Sequence, residues 1–253
     1  MQQLAHILNN GIRKIAILID PDKTKDPEKI AVLAKKINLL QPAFIFVGGS
    51  TVHQSDLNTC IQQLKEHTEI PLILFPGSHQ QISPHADGIL FLSLISGRNP
   101  DFLIGHQVAS AHTIKEMDLE VIPTGYMLID GGKPTAVTYI SQTTPIPKDQ
   151  LQIACQTAIA GEMLGLKSIF LDAGSGANVA VPAEMIASVK SSINCPLIVG
   201  GGIRSIAEID QAFEAGADLV VIGNQVETDT DFLLDIKLHL NTYNRERLTL
   251  KNN

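Results

Sequence analysis

Ile198-Val199-Gly200-Gly201-Gly202-Ile203-Arg204-Ser205, followed by Gly216-Ala217-Asp218-Leu219-Val220-Val221-Ile222-Gly223-Asn224, is the stretch that decides the fold. An apolar run ends in three glycines, and a helix-like segment starts at once. A second apolar run then ends in Gly-Asn. Glycine has no Cβ, so a ligand can approach the backbone and meet its N–H groups. A helix start adds unpaired N–H donors and a positive dipole end. Two such turns in succession suit a phosphate held by backbone. Each turn alone is also consistent with nothing more than a tight strand-to-helix corner.

Working outward, eight short apolar runs read as strands: Ile15–Asp20, Ala43–Val47, Pro71–Phe75, Gly88–Leu92, Leu119–Pro123, Ser168–Asp172, Pro196–Gly200 and Leu219–Gly223. Several are Ile/Leu/Val-rich without alternation, as parallel strands buried on both faces are. Helical periodicity fills most of the gaps, in Pro27–Leu40, Gln150–Leu164 and Ser205–Ala215. Asp26-Pro27 and Val181-Pro182 read as helix starts. Strand alternating with helix indicates a parallel sheet. For 253 residues, 44% of them hydrophobic, eight units closing on themselves are the economical solution. The expected fold is thus a modified (β/α)₈ TIM barrel forming one domain over residues 1–253. In such barrels phosphates often sit in the loops after the seventh and eighth strands. Two places break the rhythm. Phe75-Pro76-Gly77-Ser78 leaves room for only a short, irregular third helix. Asp130–Pro147 is a long Gly/Thr/Pro-rich loop after strand five, on the rim where barrel active sites lie.

A formal net charge of −7 argues against non-specific nucleic-acid binding. Cys60, Cys155 and Cys195 are odd in number and far apart, so neither a disulfide framework nor a zinc site is expected, and a reducing cytoplasm fits. Met1 to Gly11 is polar, without the apolar core of a secretory leader. No apolar run approaches the length of a membrane span, so a lipid substrate would be reached from the water side, at most through transient contact with a membrane surface.

Strand ends carry the candidate chemistry. Strand one ends Ile19-Asp20-Pro21-Asp22-Lys23, strand two Val47-Gly48-Gly49-Ser50-Thr51, and strand six Leu171-Asp172-Ala173-Gly174-Ser175-Gly176-Ala177. A carboxylate closing an apolar strand, as Asp20 does, is costly to bury unless it is paired or binds a metal. Magnesium prefers hard oxygens and bridges to phosphates; a plain turn hydrogen bond is the alternative. Asp22 and Lys23 read as solvated loop residues. Asp172 could hydrogen-bond a polyol, and the Gly/Ser turn after it could take a phosphate. The eight histidines form no metal-binding pair.

With these strand ends placed, the chain resembles the geranylgeranylglyceryl phosphate synthase family, also called the GGGP/heptaprenylglyceryl phosphate synthases. The matching segments are Leu18–Lys23, Val47–Thr51, Leu74–Gly77, Pro123–Tyr126, Thr144–Pro147, Leu171–Ala177, Val199–Arg204 and Gly223-Asn224, in order over nearly the whole chain. The resemblance implies a cytoplasmic, Mg²⁺-dependent prenyltransferase of ether-lipid synthesis and a homo-oligomer, dimer or hexamer. It would move a geranylgeranyl group from its diphosphate to the C3 hydroxyl of sn-glycerol 1-phosphate. By position, Asp20 and Ser50 match the magnesium residues. Phe170, Leu171, Asp172, Ala173, Gly174, Ser175 and Gly176 match the glycerol-phosphate segments, as do Gly201, Gly202, Gly223 and Asn224. Tyr126 matches a tyrosine after strand five, and Asp172 with Tyr126 is the candidate catalytic pair. The chain departs from the family at Phe170, usually Tyr, and at Asp172, usually Glu. Leu18 replaces the lysine of the shorter bacterial branch, which places the chain with the larger branch of archaeal enzymes and bacterial relatives.

The prenyl chain calls for an apolar groove, with Phe91, Leu94, Ile95, Phe102, Leu103 and Ile104 as candidate walls and Phe102 as its stop. Rival readings are a sugar-phosphate isomerase using Asp20 and Asp172 as an acid/base pair, an FMN-binding barrel, and a non-catalytic phosphate- or lipid-binding module.

Overall fold

The computed structural model describes Leu8 and residues 13–240. The polar opening from Met1 to Gly11 therefore lies, Leu8 apart, outside the described residues. Eight parallel strands close into a barrel in sequence order: β1 Lys14–Ile19, β2 Phe44–Val47, β3 Leu72–Leu74, β4 Gly88–Leu94, β5 Glu120–Leu128, β6 Ser168–Asp172, β7 Leu197–Gly200 and β8 Leu219–Ile222. The helices are α1 Pro27–Leu40, α2 Gln54–Lys65, α3 His106–Glu116, α4 Ala136–Ser141, α5 Leu151–Met163, α6 Ala183–Lys190, α7 Ile206–Glu214 and α8 Asn224–Thr228. Residues 232–240 are helical as well, and a wide helical turn, Asp101–Gly105, leads into α3.

The period-two rule of strands explains the core. Inward positions Ala16, Phe44, Phe46, Ile73, Leu90, Ile122, Phe170, Ile198, Leu219 and Val221 fill the barrel. Outward neighbours such as Ile15, Ile17, Ile45, Leu72, Leu171, Val199 and Val220 meet the helices. A polar pair sits among them: the Thr124 and Ser168 hydroxyls lie 2.9 Å apart and satisfy each other. Local signals set the helix ends. Asp26 accepts from the Glu28 N–H at 3.0 Å ahead of Pro27. Ser205 and Glu208 form a reciprocal capping box that starts α7.

Three expectations change. Strand five does not stop at Pro123 but runs to Leu128, because it pairs with β4 on one side and β6 on the other along that length. Tyr126 is therefore inside the strand, not after it. The short helix expected between β3 and β4 is not formed; residues 75–87 run as turns. The long loop after β5 contains α4 and is tied back to the strand end, where the Ile146 N–H donates to Leu128 O at 2.9 Å.

Candidate active site

The strand ends surround one cavity of about 330 Å³ at the C-terminal mouth of the barrel. The ends of β1 and β2 bring Asp20, Lys23, Gly48, Gly49, Ser50 and Thr51 to it; the ends of β6, β7 and β8 bring Asp172, Ser175, Gly176, Gly201, Gly202, Gly223 and Asn224. Residues far apart in the chain meet because every strand of a parallel barrel ends on the same rim.

The strand-six end is built by period two. Phe170 and Asp172 point inward and line the cavity, whereas Leu171 and Ala173 point into the helix layer and are buried there. Leu171, Ala173 and Gly174 do not line the cavity. Asp172 is only 7% exposed. Its Oδ2 accepts from the Tyr126 hydroxyl at 2.5 Å, and its Oδ1 from the Gly174 N–H at 2.7 Å. The pair forms because Tyr126 stands beside Phe170 in the β5–β6 register, two residues below Asp172 on the same inner face. Burial pushes the Asp172 carboxyl above the usual carboxylate range, and the two donors pull it back. Burial next to this carboxylate holds the Tyr126 phenol well above its ordinary value, so it stays a donor.

Phe170 takes no polar contact. Its ring stacks on Phe75, with centroids 5.4 Å apart, and meets Tyr126 edge-on. The hydroxyl that a tyrosine would carry here is absent, and Tyr126 supplies the phenol that reaches Asp172.

The glycine turn after β7 is shaped by backbone. Gly201 and Gly202 have φ of +78° and +74°, a region that side chains disfavour. A Cβ on Gly201 would collide with Asp172 Oδ1 and the Ala173 and Gly174 backbone; one on Gly202 would lie 2.7 Å from Val179 O. Two ties fix neighbouring loops. The Ser175 hydroxyl donates to Asn224 Oδ1 at 3.0 Å, joining the β6 and β8 ends. The Arg204 guanidinium donates to Ala177 O and Asn178 O, joining the β7 turn to the β6 loop. Arg204 also lines the cavity, a role that its place at the end of a glycine motif did not reveal.

At the other end, Asp20 Oδ1 accepts from the Asp22 N–H at 3.1 Å, and Lys23 reaches Asp20 Oδ2 at 3.6 Å and Glu227 Oε2 at 2.8 Å. Lys23 is an exposed turn residue, as expected, and it also lines the cavity. A Cβ on Gly49 would lie 3.1 Å from Asp20 Oδ1, so glycine keeps the space before the carboxylate open. Among the described residues no three or more His, Cys, Asp or Glu gather as a metal cage.

The cavity continues over the strand rim. Leu90, Leu92 and Leu94, on the inner face of β4, line it, and so do Ile89 and Phe91 on the outer face, with Ile82 and Phe102. It passes into the gap where a helix after β3 would have packed. Ile95, Leu103 and Ile104, expected as walls, do not line it; Ile104 faces outward and Ile95 packs beneath Gly125 and Gly161.

Residues 11–239 match the model of the PcrB family. The geranylgeranylglyceryl phosphate synthase of Chitinophaga pinensis is 51% identical over 226 residues, 89% of either chain. That of Korarchaeum cryptofilum is 40% identical over 223 residues, 88% of this chain and 91% of the relative. The crystal structure of (S)-3-O-geranylgeranylglyceryl phosphate synthase from Thermoplasma acidophilum, in complex with substrate sn-glycerol-1-phosphate, superposes with a TM-score of 0.87 at 32% identity. That match covers 94% of this chain and 96% of the other. With its eight-stranded barrel and glycine-lined rim, the chain belongs to the PcrB family.

Proposed function

We propose that the protein is a prenyltransferase that joins a prenyl group, carried as its diphosphate, to the C3 hydroxyl of sn-glycerol 1-phosphate. One observation carries the reading: a single cavity joins a backbone-and-hydroxyl cluster, a carboxylate end and an apolar groove. These suit, in turn, a glycerol phosphate, a metal-bound diphosphate and a hydrocarbon chain. The curated relatives' names and the glycerol-phosphate complex of the Thermoplasma structure support it.

The acceptor's phosphate lies against the Ser175–Gly176, Gly201–Gly202 and Gly223–Asn224 turns. Its glycerol hydroxyl points toward Asp172, where a lone pair not used by Tyr126 or Gly174 orients it and takes its proton. Burial raises the basicity of that carboxylate. As the carbon–oxygen bond to the leaving diphosphate breaks, an ether bond forms to the glycerol oxygen. Holding that oxygen against the prenyl carbon is a positioning task. Asp20 and Ser50 are the residues that would hold Mg²⁺: two hard oxygens beside the open space at Gly49. Bound there, Mg²⁺ would neutralise charge on the leaving diphosphate. The tail runs past Phe75 and Leu92 into the gap after β3. The donor favoured by resemblance to the larger branch is the C20 geranylgeranyl diphosphate, with Phe102 closing the groove.

No described helix is long and apolar enough to cross a membrane. The protein is read as a cytoplasmic homo-oligomer that meets its lipid substrate from water. Incubation with Mg²⁺, glycerol 1-phosphate and a ladder of radiolabelled prenyl diphosphates tests the reading. Ether product formed only with metal and both substrates is expected; absence of product with every donor refutes it.

A further inference from the structure

Lys23 bridges two carboxylates that no local sequence rule pairs. Its ammonium stands 2.8 Å from Glu227 Oε2, on α8, and 3.6 Å from Asp20 Oδ2, at the end of β1. All three side chains line the cavity, beside Gly49, Ser50 and Thr51. The two carboxylates are 23% and 16% exposed and so partly sheltered from screening, while the Lys23 side chain, 45% exposed, is free to turn toward a ligand in the cavity. We infer that Lys23 contacts the donor's diphosphate and that Glu227 is a positioning residue that holds the ammonium in place for it.

The charges require a hand-over. Three groups carry two negative charges and one positive. A cation arriving at Asp20 repels the ammonium, and the longer of its two contacts is the one to Asp20. Glu227, the nearer partner, keeps Lys23 from swinging into solvent. The ammonium has three donors; one stays on Glu227, and another, not bonded to Asp20 at 3.6 Å, turns to a phosphate oxygen, where charge-assisted bonds are strong. Glu227 thereby places a positive charge at the leaving group from the end of β8, the strand next to β1. It does so from the helix that begins with Asn224, a residue of the acceptor end. This rests on reading the Asp20 side as the donor's end.

Inorganic diphosphate titrated into the full chain by calorimetry, with and without Mg²⁺, tests it. Lys23→Gln is expected to weaken diphosphate binding about tenfold, the scale of one charge-assisted contact. Glycerol 1-phosphate binding is expected to be unchanged, and Lys23→Arg to restore most of the diphosphate affinity. Glu227→Gln gives the sharper result. Removing a negative charge beside an anion site tightens binding if only Coulomb attraction matters; a positioning role weakens it. Weaker binding is expected, with the double variant no weaker than Lys23→Gln alone. Tighter or unchanged binding by Glu227→Gln overturns its role, and unchanged binding by Lys23→Gln overturns the bridge. A parent protein that takes up no diphosphate overturns the donor reading itself, and the bridge with it.

Discussion

Tyr126→Phe removes a single oxygen from the most buried polar contact of the site. The phenol donates to Asp172 Oδ2 at 2.5 Å, and the carboxylate keeps only the Gly174 N–H, at 2.7 Å, in its place. Burial already drives the Asp172 carboxyl upward, so losing a donor drives it further. The native state therefore holds this proton more tightly than the unfolded chain does. Stability falls as pH rises from the ordinary carboxylate range through the raised native value, and the variant falls further. At the acid end, with Asp172 neutral in both proteins, the lost bond costs about 0.5–1.5 kcal/mol, the net worth of a neutral hydrogen bond. Once Asp172 ionises, the cost grows to about 1.5–3 kcal/mol, since the bond then serves a charge. For a chain of this size each kcal/mol moves the melting temperature by roughly 2–4 °C. The Tm gap between parent and variant is thus expected to widen from about 2–4 °C in acid to about 5–9 °C near neutrality, converting midpoints of those ranges. Calorimetric melting of both proteins across the acid-to-neutral range measures it. A gap constant with pH, or wider in acid, refutes the view that Tyr126 supports a buried ionising carboxylate.

Asp20→Asn keeps the shape and removes the charge, so turnover is expected to drop on the order of 10²-fold or more with the fold intact; retained activity with unchanged Mg²⁺ dependence removes Asp20 from the metal site. Gly202→Val forces a side chain onto a φ of +74° and toward Val179 O, so weaker glycerol 1-phosphate binding with diphosphate binding retained is expected in calorimetry; loss of diphosphate affinity alone means that the two phosphate ends are reversed. Asp172→Glu is expected to be tolerated and Asp172→Ala to lose acceptor orientation, seen as a raised KM for glycerol 1-phosphate; a double-mutant cycle with Phe170→Tyr should be non-additive, because both positions meet Tyr126. Phe102→Ala is expected to admit longer prenyl chains, each added buried CH₂ contributing about 0.8 kcal/mol; an unchanged product profile across C15, C20 and C35 donors clears Phe102 of that role.

The sequence by itself determined the barrel. Unbroken Ile/Leu/Val runs alternating with helical periodicity admit few other solutions, and α1 carries its own start signal in Asp26-Pro27. It also marked the glycine turns after β7 and β8, because a positive φ such as that of Gly201 leaves a trace in residue type. What depends on neighbours was decided only by the tertiary structure. Strand five runs past Pro123 and Gly125 because partners on both sides supply its hydrogen bonds, which local propensity cannot register. The gap after β3 exists because no helix packs there, and an absent contact has no motif. Lys23 reads as a loop residue and is one, but its ion pair was hidden because its partner Glu227 stands 204 positions away. Leu171 and Ala173 share a motif with Asp172, yet strand alternation turns them to the opposite side of the sheet. Residue type follows local backbone geometry and is readable along the chain. Ion pairs, register and the direction of a cavity are set by closure of the barrel, which brings distant strand ends onto one rim.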